Sequence, residues 1–208
     1  MGLTIIRSYR KSNLLSHLDE QGRPSMVDVG NKPSTTRTAV ASGRITIPKL
    51  AFDLVTSSYP VEDDLSSVRP GAARTGFEKA RRKGDALTVA QLAAIMGAKQ
   101  TSALIPLCHP LPLTNVDVKL VPETQRSQED STSDSCTEDK LYSIRCTAIV
   151  TCEGRTGVEM EALTAVTIGL LTVWDMLKAV AGKDMEIGGV MVMRKSGGSN
   201  DFERYPVS

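Results

Sequence analysis

TGVEMEALTAVTIGLLTVWDMLK, residues 156–178, decides how this chain must fold. From Ala162 to Trp174 it runs thirteen residues without a charge, with Glu159 and Glu161 at one end and Asp175 and Lys178 at the other. A surface helix is polar on one side. This one is apolar nearly all round, which predicts a helix buried on most of its faces. Ionisable groups at the rims of such a helix are costly unless paired or used, so these four are candidates for chemistry. A structural reading stands beside the functional one: Thr156-Gly-Val-Glu159 fits a capping box, and Lys178 lies where a cation suits a helix C-terminus.

Helix length sharpens the point. Fourteen residues separate Glu161 from Asp175, about 21 Å at 1.5 Å per residue. One compact site cannot easily use both ends of such a rod. Two copies packed antiparallel across a twofold axis would set the start of one beside the end of the other. The sequence therefore points to a homo-oligomer with sites built between subunits.

The rest of the chain reads as one domain, residues 26–203, between a tail over 1–25 and a C-terminal tail over 204–208. At 208 residues it can bury a sizeable core. Residues 36–47 and 141–152 favour strands, 113–121 alternates as a half-buried strand, and 185–194 reads as a last strand before Gly197-Gly198 turns the chain. Leu50 opens a short helix. Asp85 is a good N-cap for a helix over 86–104, which Pro106, Pro110 and Pro112 end. Residues 58–76, with Pro60, Pro70, Gly71 and Gly76, read as an insertion, and the long helix stops at Gly182, a natural C′ residue. Residues 123–139 carry six acids and almost nothing apolar, and read as a solvated hairpin tip. The order is β-α-β-β-α-β. It predicts an α+β, ferredoxin-like split β-α-β fold, with helices packed on one face of an antiparallel sheet and a second subunit available to cover the other.

Composition narrows the function. A formal net charge of +1 argues against bulk nucleic-acid binding, and 4% aromatics leaves little for base stacking. Cys108, Cys136, Cys146 and Cys152 form no CxxC pair, which disfavours a zinc ribbon or redox dithiol and fits a reducing, intracellular compartment. No apolar run reaches transmembrane length by this reading. The first seventeen residues hold Arg7, Arg10, Lys11 and three serines with no acid before Asp19, so a mitochondrial targeting remnant is set beside a plain basic tail.

Four further constellations carry candidate chemistry. Arg81-Arg82-Lys83-Gly84 precedes a helix N-terminus, where backbone N–H groups attract anions. His109 is fixed between prolines beside Cys108, and no metal-ligand set gathers round it. Asp28 and Arg37 lie in MVDVGNKPSTTR, where an Arg can fork onto a phosphate. Lys195-Ser-Gly-Gly can form an anion-binding nest. Each also has a bland reading as a surface turn or a satisfied core residue.

Together, MVDVGNKPSTTR, KGDALTVAQLAAIMGAKQTSALIPLCHPLPL, TGVEMEALTAVTIGLLTVWDMLKAV and the KSGGSNDF tail resemble the MoaC family, the cyclic pyranopterin monophosphate synthases of molybdenum cofactor biosynthesis, over residues 17–56 and 79–203. The resemblance implies a ferredoxin-like homohexamer, a trimer of dimers, with its active site at the dimer interface. It implies a lyase acting on 3′,8-cyclo-7,8-dihydroguanosine 5′-triphosphate, a small molecule supplied by a radical SAM GTP cyclase, and releasing pyrophosphate. By the same resemblance Lys83, Asp175 and Lys178 are catalytic, and Asp28, Arg37, Cys108, His109, Glu159, Met160, Glu161 and Lys195 bind substrate. No resident metal or cofactor, nucleic acid or membrane is expected; magnesium would enter only with the triphosphate. The alternative from another class is a non-catalytic nucleotide- or phosphate-binding regulatory module, which needs anion contacts but not the acid/base set at both ends of the helix.

Overall fold

In the computed structural model the chain is described over residues 17–19, 21–56, 85–126 and 140–204. Strand β1 (Thr35–Ile47) leads to helix α1 (Lys49–Thr56). Helices α2 (Ala86–Lys99) and α3 (Thr101–Leu104) precede strands β2 (Leu113–Arg126) and β3 (Lys140–Gly154). Helix α4 (Glu159–Ala181), strand β4 (Glu186–Ser196) and the short β5 (Phe202–Glu203) complete the order. The strands form one open sheet, β2-β3-β1-β4-β5, antiparallel at every pairing, so the fold is α+β. The basic stretch at the N-terminus, the insertion over 58–76, the Arg81–Gly84 turn with Lys83, the acidic residues 127–139 and the last four residues lie outside the described residues.

The period of two in the strands sets the layers. Ala39, Ala41, Ile45 and Ile47 of β1 alternate with Thr38, Ser42 and Arg44; Val150, Ala148 and Ile144 of β3, opposite the first three, and Cys146, opposite Gly43, are fully buried. Helix α4 lies on this apolar face, over β1, β3 and β4, with α2 packed beside it and over β2. Val166, Leu170, Val173 and Leu177 fill the interface, each worth roughly 1.5–3 kcal/mol on burial. The two long helices approach closely through small residues: a Cβ on Gly97 would lie 2.9 Å from Ile168 Cγ1. Burial lifts the Cys146 thiol to about 12, which leaves it an inert core residue.

The opposite face is mixed rather than apolar, with a Thr38–Thr151 hydroxyl pair at 3.1 Å and Ser42 bonded to Cys146 O. The most exposed large apolar side chains lie on the helical layer, Leu92 (61% exposed), Met96 and Leu104, and Leu171 (50%) on α4, while Val121, Leu141, Met191 and Phe202 are exposed on the strands.

Several expectations need correction. The helix over 86–104 is two helices, because Gln100 leaves helical geometry (φ −106°, ψ 9°) while the Thr101 hydroxyl donates to Gly97 O and Ala98 O. Strand β2 runs on to Arg126, past its predicted end at Val121. Glu123 there pairs with Arg145 of β3, so the start of the acidic segment is sheet. The capping box does not form: the N-cap of α4 is Val158, a buried residue that offers no side-chain cap. Gly182 caps the C-terminus in right-handed geometry (φ −57°) rather than as a left-handed C′ residue; its N–H bonds Lys178 O at 3.1 Å. By length and composition α4 would pass for a membrane span, against the sequence reading, yet its inner face is the core of the sheet.

Candidate functional site

Four pieces of chain meet at the N-terminus of α4. Strand β1 brings Arg37, and β4, antiparallel beside it, brings Lys195 opposite Ala39. The turn before β1 brings Lys32, and the β3–α4 loop brings Arg155. Together with Glu159 these residues line a cavity of about 190 Å³, closed on one side by Gly198, Ser199 and Asn200. Four cations against one carboxylate give it a positive balance, which suits an anion. The uncapped start of α4 adds backbone N–H donors and the positive end of the helix dipole.

Local chemistry fixes each group. Arg37 donates through Nε to Gly154 O at 2.9 Å, which leaves the rest of its guanidinium fork for a ligand. Lys195 Nζ donates to Glu159 Oε1 at 2.9 Å and stands 5.7 Å from the centre of the Phe202 ring. Gly157 lets the Glu159 carboxylate fold back over the loop: a Cβ there would meet Glu159 Oε2 at 1.8 Å. Gly197 turns the chain after β4 at φ +86°, where a Cβ would sit 2.0 Å from Thr36 O. The Thr35 hydroxyl and the Asp201 carboxylate pin that turn by bonding Gly197 O and Gly198 N.

Glu161 points away from solvent and is 4% exposed. Burial pushes its carboxyl pKa up, and the charge of Glu159 adds to the shift. Cys108 and Cys152 both feel Glu161: burial raises each thiol first, and the Glu161 charge raises it further. Arg37 pulls the Cys152 thiol back down. The segment carrying Cys108 and His109 is thus held near this end of α4. A bond from Cys108 N to Ile105 O shapes its turn, and Leu111 packs against Gly154. His109 is half-buried.

The structure brings Arg37, Glu159 and Lys195 into one cavity, with Glu161 and Cys108 beside it. Met160 faces outward, 38% exposed. Asp28 shapes the turn before β1, its Oδ1 accepting from Gly30 N at 2.8 Å. Asp175 and Lys178 are not in the cavity. They form a 2.5 Å ion pair at the other end of α4, both more than half exposed. From Glu159 to Lys178 is nineteen residues, about 28 Å of helix. Lys83 lies outside the described residues.

Sequence reasoning passed over Lys32 and Arg155. The signal for Lys32 was its place five residues before Arg37 in MVDVGNKPSTTR. The signal for Arg155 was a cation immediately ahead of a helix N-terminus. As a whole the arrangement can hold a polyanion, keep one buried carboxyl protonated to higher pH than usual, and present an acid/base pair at a distant helix end.

The MoaC family profile matches residues 26–198. A protein of Sulfurovum sp. (strain NBC37-1) named cyclic pyranopterin monophosphate synthase is 43% identical over 193 residues, covering 91% of this chain and 98% of the relative. One of the same name from Helicobacter pylori (strain HPAG1) is 41% identical over 189 residues, covering 90% and 96%. Molybdenum cofactor biosynthesis protein 1 of Drosophila melanogaster is 42% identical over 195 residues, which are 94% of this chain and 28% of that protein. With a match across most of its length and relatives this similar over nearly their whole chains, the chain belongs to the MoaC family.

Proposed function

We infer that the chain catalyses the reaction for which its relatives are named, the formation of cyclic pyranopterin monophosphate in molybdenum cofactor biosynthesis. The observation that carries this reading is the four-cation cavity at the N-terminus of α4 with a buried carboxyl beside it. The substrate is 3′,8-cyclo-7,8-dihydroguanosine 5′-triphosphate, the product of a radical SAM GTP cyclase. Arg37, Lys195 and Lys32 neutralise its phosphates. A substrate hydroxyl displaces pyrophosphate in line to close the cyclic phosphate, and the cations stabilise the leaving group. Opening and rearranging the purine-derived ring needs proton donors and acceptors, for which Glu161, His109, Lys83 and the Asp175–Lys178 pair are the candidates. The bacterial relatives support a cytoplasmic setting for this chemistry.

The fold belongs to this reading too. Four of the strands lie in the order β2-β3-β1-β4, with α2 and α4 on one face, which supports a ferredoxin-like assignment. The separation of Asp175 and Lys178 from the cavity supports a dimer in which antiparallel α4 helices exchange their ends. Met160 and Leu171 on α4, with Leu92 and Met96 on α2, supply exposed apolar surface for such pairing. A trimer of such dimers makes the hexamer. The test is to incubate the protein with the cyclised triphosphate and follow pyrophosphate and the tetracyclic product. Tight binding without turnover would favour the regulatory module instead.

A further inference from the structure

Residues 26–34, which carry Asp28 and Lys32, form neither helix nor strand, yet the segment is held in place. Two hydrogen bonds shape it from within: Gly30 N donates to Asp28 Oδ1 at 2.8 Å, and Lys32 N donates to Val29 O at 3.1 Å. Neither attaches the turn to the domain. Among the described residues the hydrogen bond that does so is Arg155 Nη1 donating to Gly30 O at 2.6 Å, across 125 positions of sequence. The residue just before it, Gly154, accepts from Arg37 Nε at 2.9 Å. Two consecutive residues, the last of β3 and the first of the loop after it, thus fix two cations of the cavity: Gly154 holds Arg37 directly, and Arg155 holds the turn that carries Lys32.

We propose that Arg155 is a positioning residue whose hydrogen bond to the Gly30 carbonyl clamps the Asp28–Lys32 turn and so places the Lys32 ammonium over the anion cavity. The proposal rests on the reading of this cavity as the triphosphate site. A turn tied only to itself would leave a long lysine stem free to sample solvent, and ordering it at the moment of binding weakens affinity. A clamp on the backbone set beforehand removes the turn's share of that cost. The acceptor is a neutral backbone carbonyl, so the clamp needs a donor of the right reach more than it needs charge. This separates it from a direct electrostatic contact between Arg155 and a phosphate.

The test compares wild type, Arg155→Ala, Arg155→Gln, Lys32→Ala and the Arg155→Ala/Lys32→Ala double variant by steady-state pyrophosphate release and by thermal unfolding. A hydrogen bond from a charged donor corresponds to about a tenfold change, so Arg155→Ala should raise KM about tenfold with kcat within about twofold. Arg155→Gln, which keeps a neutral donor on a side chain two bonds shorter, should recover part of that loss. The double variant should be no worse than Lys32→Ala alone, because a clamp has nothing to position once Lys32 is gone. Unfolding temperatures should match wild type throughout. Multiplicative losses in the double variant would overturn the proposal in favour of direct charge contact. Losses of kcat and melting temperature in both backgrounds would reduce Arg155 to a scaffold residue. If wild type itself gives no turnover, the functional reading fails. The same five proteins titrated calorimetrically with inorganic triphosphate then decide the clamp by the same coupling.

Discussion

The strongest prediction concerns mixing two dead enzymes. Lys195 lies at the cavity, its Nζ 2.9 Å from Glu159, whereas Lys178 lies nineteen residues further along α4, about 28 Å away along a straight helix. No triphosphate-sized ligand spans that gap within one chain. If antiparallel pairing supplies Lys178 from the partner, Lys195→Ala and Lys178→Ala each spoil both sites of their own dimer. In a mixed dimer one site collects both defects and the other collects none. Refolding equal amounts together gives mixed dimers in half the population, each with one intact site, so about one quarter of all sites should recover. The assay is pyrophosphate release from the refolded mixture against each parent, with tagged subunits to prove exchange. Pyrophosphate release at parental levels, with mixed dimers demonstrated, would refute the shared site and the helix-length reasoning behind it.

Other expectations follow from single contacts. Gly197→Ala should lower the melting temperature and cost about 2 kcal/mol or more in denaturant unfolding, since its φ of +86° and the approach to Thr36 O leave no room for a Cβ. The Glu161 carboxyl is held above its unfolded value of 4.5, so the native state keeps that proton longer than the unfolded chain. Its contribution is intact below that value and falls as pH rises through the window above it. Glu161→Gln should remove this decline, seen as a flatter plot of urea midpoint as pH rises above 4.5 and a more stable protein at the upper end. Asp85→Ala should cost about 1 kcal/mol at neutral pH, because its carboxylate accepts from Leu87 N and Thr88 N at the start of α2. Removing residues 127–139 should leave melting and turnover nearly unchanged, whereas Glu123→Ala, which strips Arg145 of its partner, should cost up to about 1 kcal/mol.

Elements set by local period were legible, and contacts set by tertiary meeting were not. Helix α4 announced itself through thirteen uncharged residues, and β1 and β3 through alternation that the register Ile45–Ile144 and Ala41–Ala148 realises. The extension of β2 was hidden because Glu123 looks like a loop acid until Arg145, twenty-two residues on, comes beside it. Strand β5 is two residues long, too short for any period, and exists by pairing with Arg194 and Lys195. The capping box was a sound local pattern that failed because Val158 is needed in the core. In the cavity, Arg37, Glu159 and Lys195 could be named from sequence. Lys32 and Arg155 could not be separated from ordinary surface cations, since their roles depend on a turn meeting a loop far away in the chain.

The proposed dimer, in which one helix feeds two half-sites, would account for the exposure of Asp175 and Lys178 in a single chain. Both are more than half exposed, and in water an ion pair so placed gains little and is screened. Such a pair is a poor acid/base device until water is removed from around it. The surface that would remove it lies alongside: Leu171 is half exposed one turn before Asp175, and Leu92 and Met96 stand on the neighbouring helix. Pairing through that surface would bury the pair and deliver it to the cavity of the other copy, where electrostatic interactions strengthen as water leaves. On the proposed pairing, association and activation would be the same event. The even apolarity of α4 would then serve two contacts: its inner side fills the core of its own chain, and its remaining flank packs against a second copy, where a polar face would stay in water.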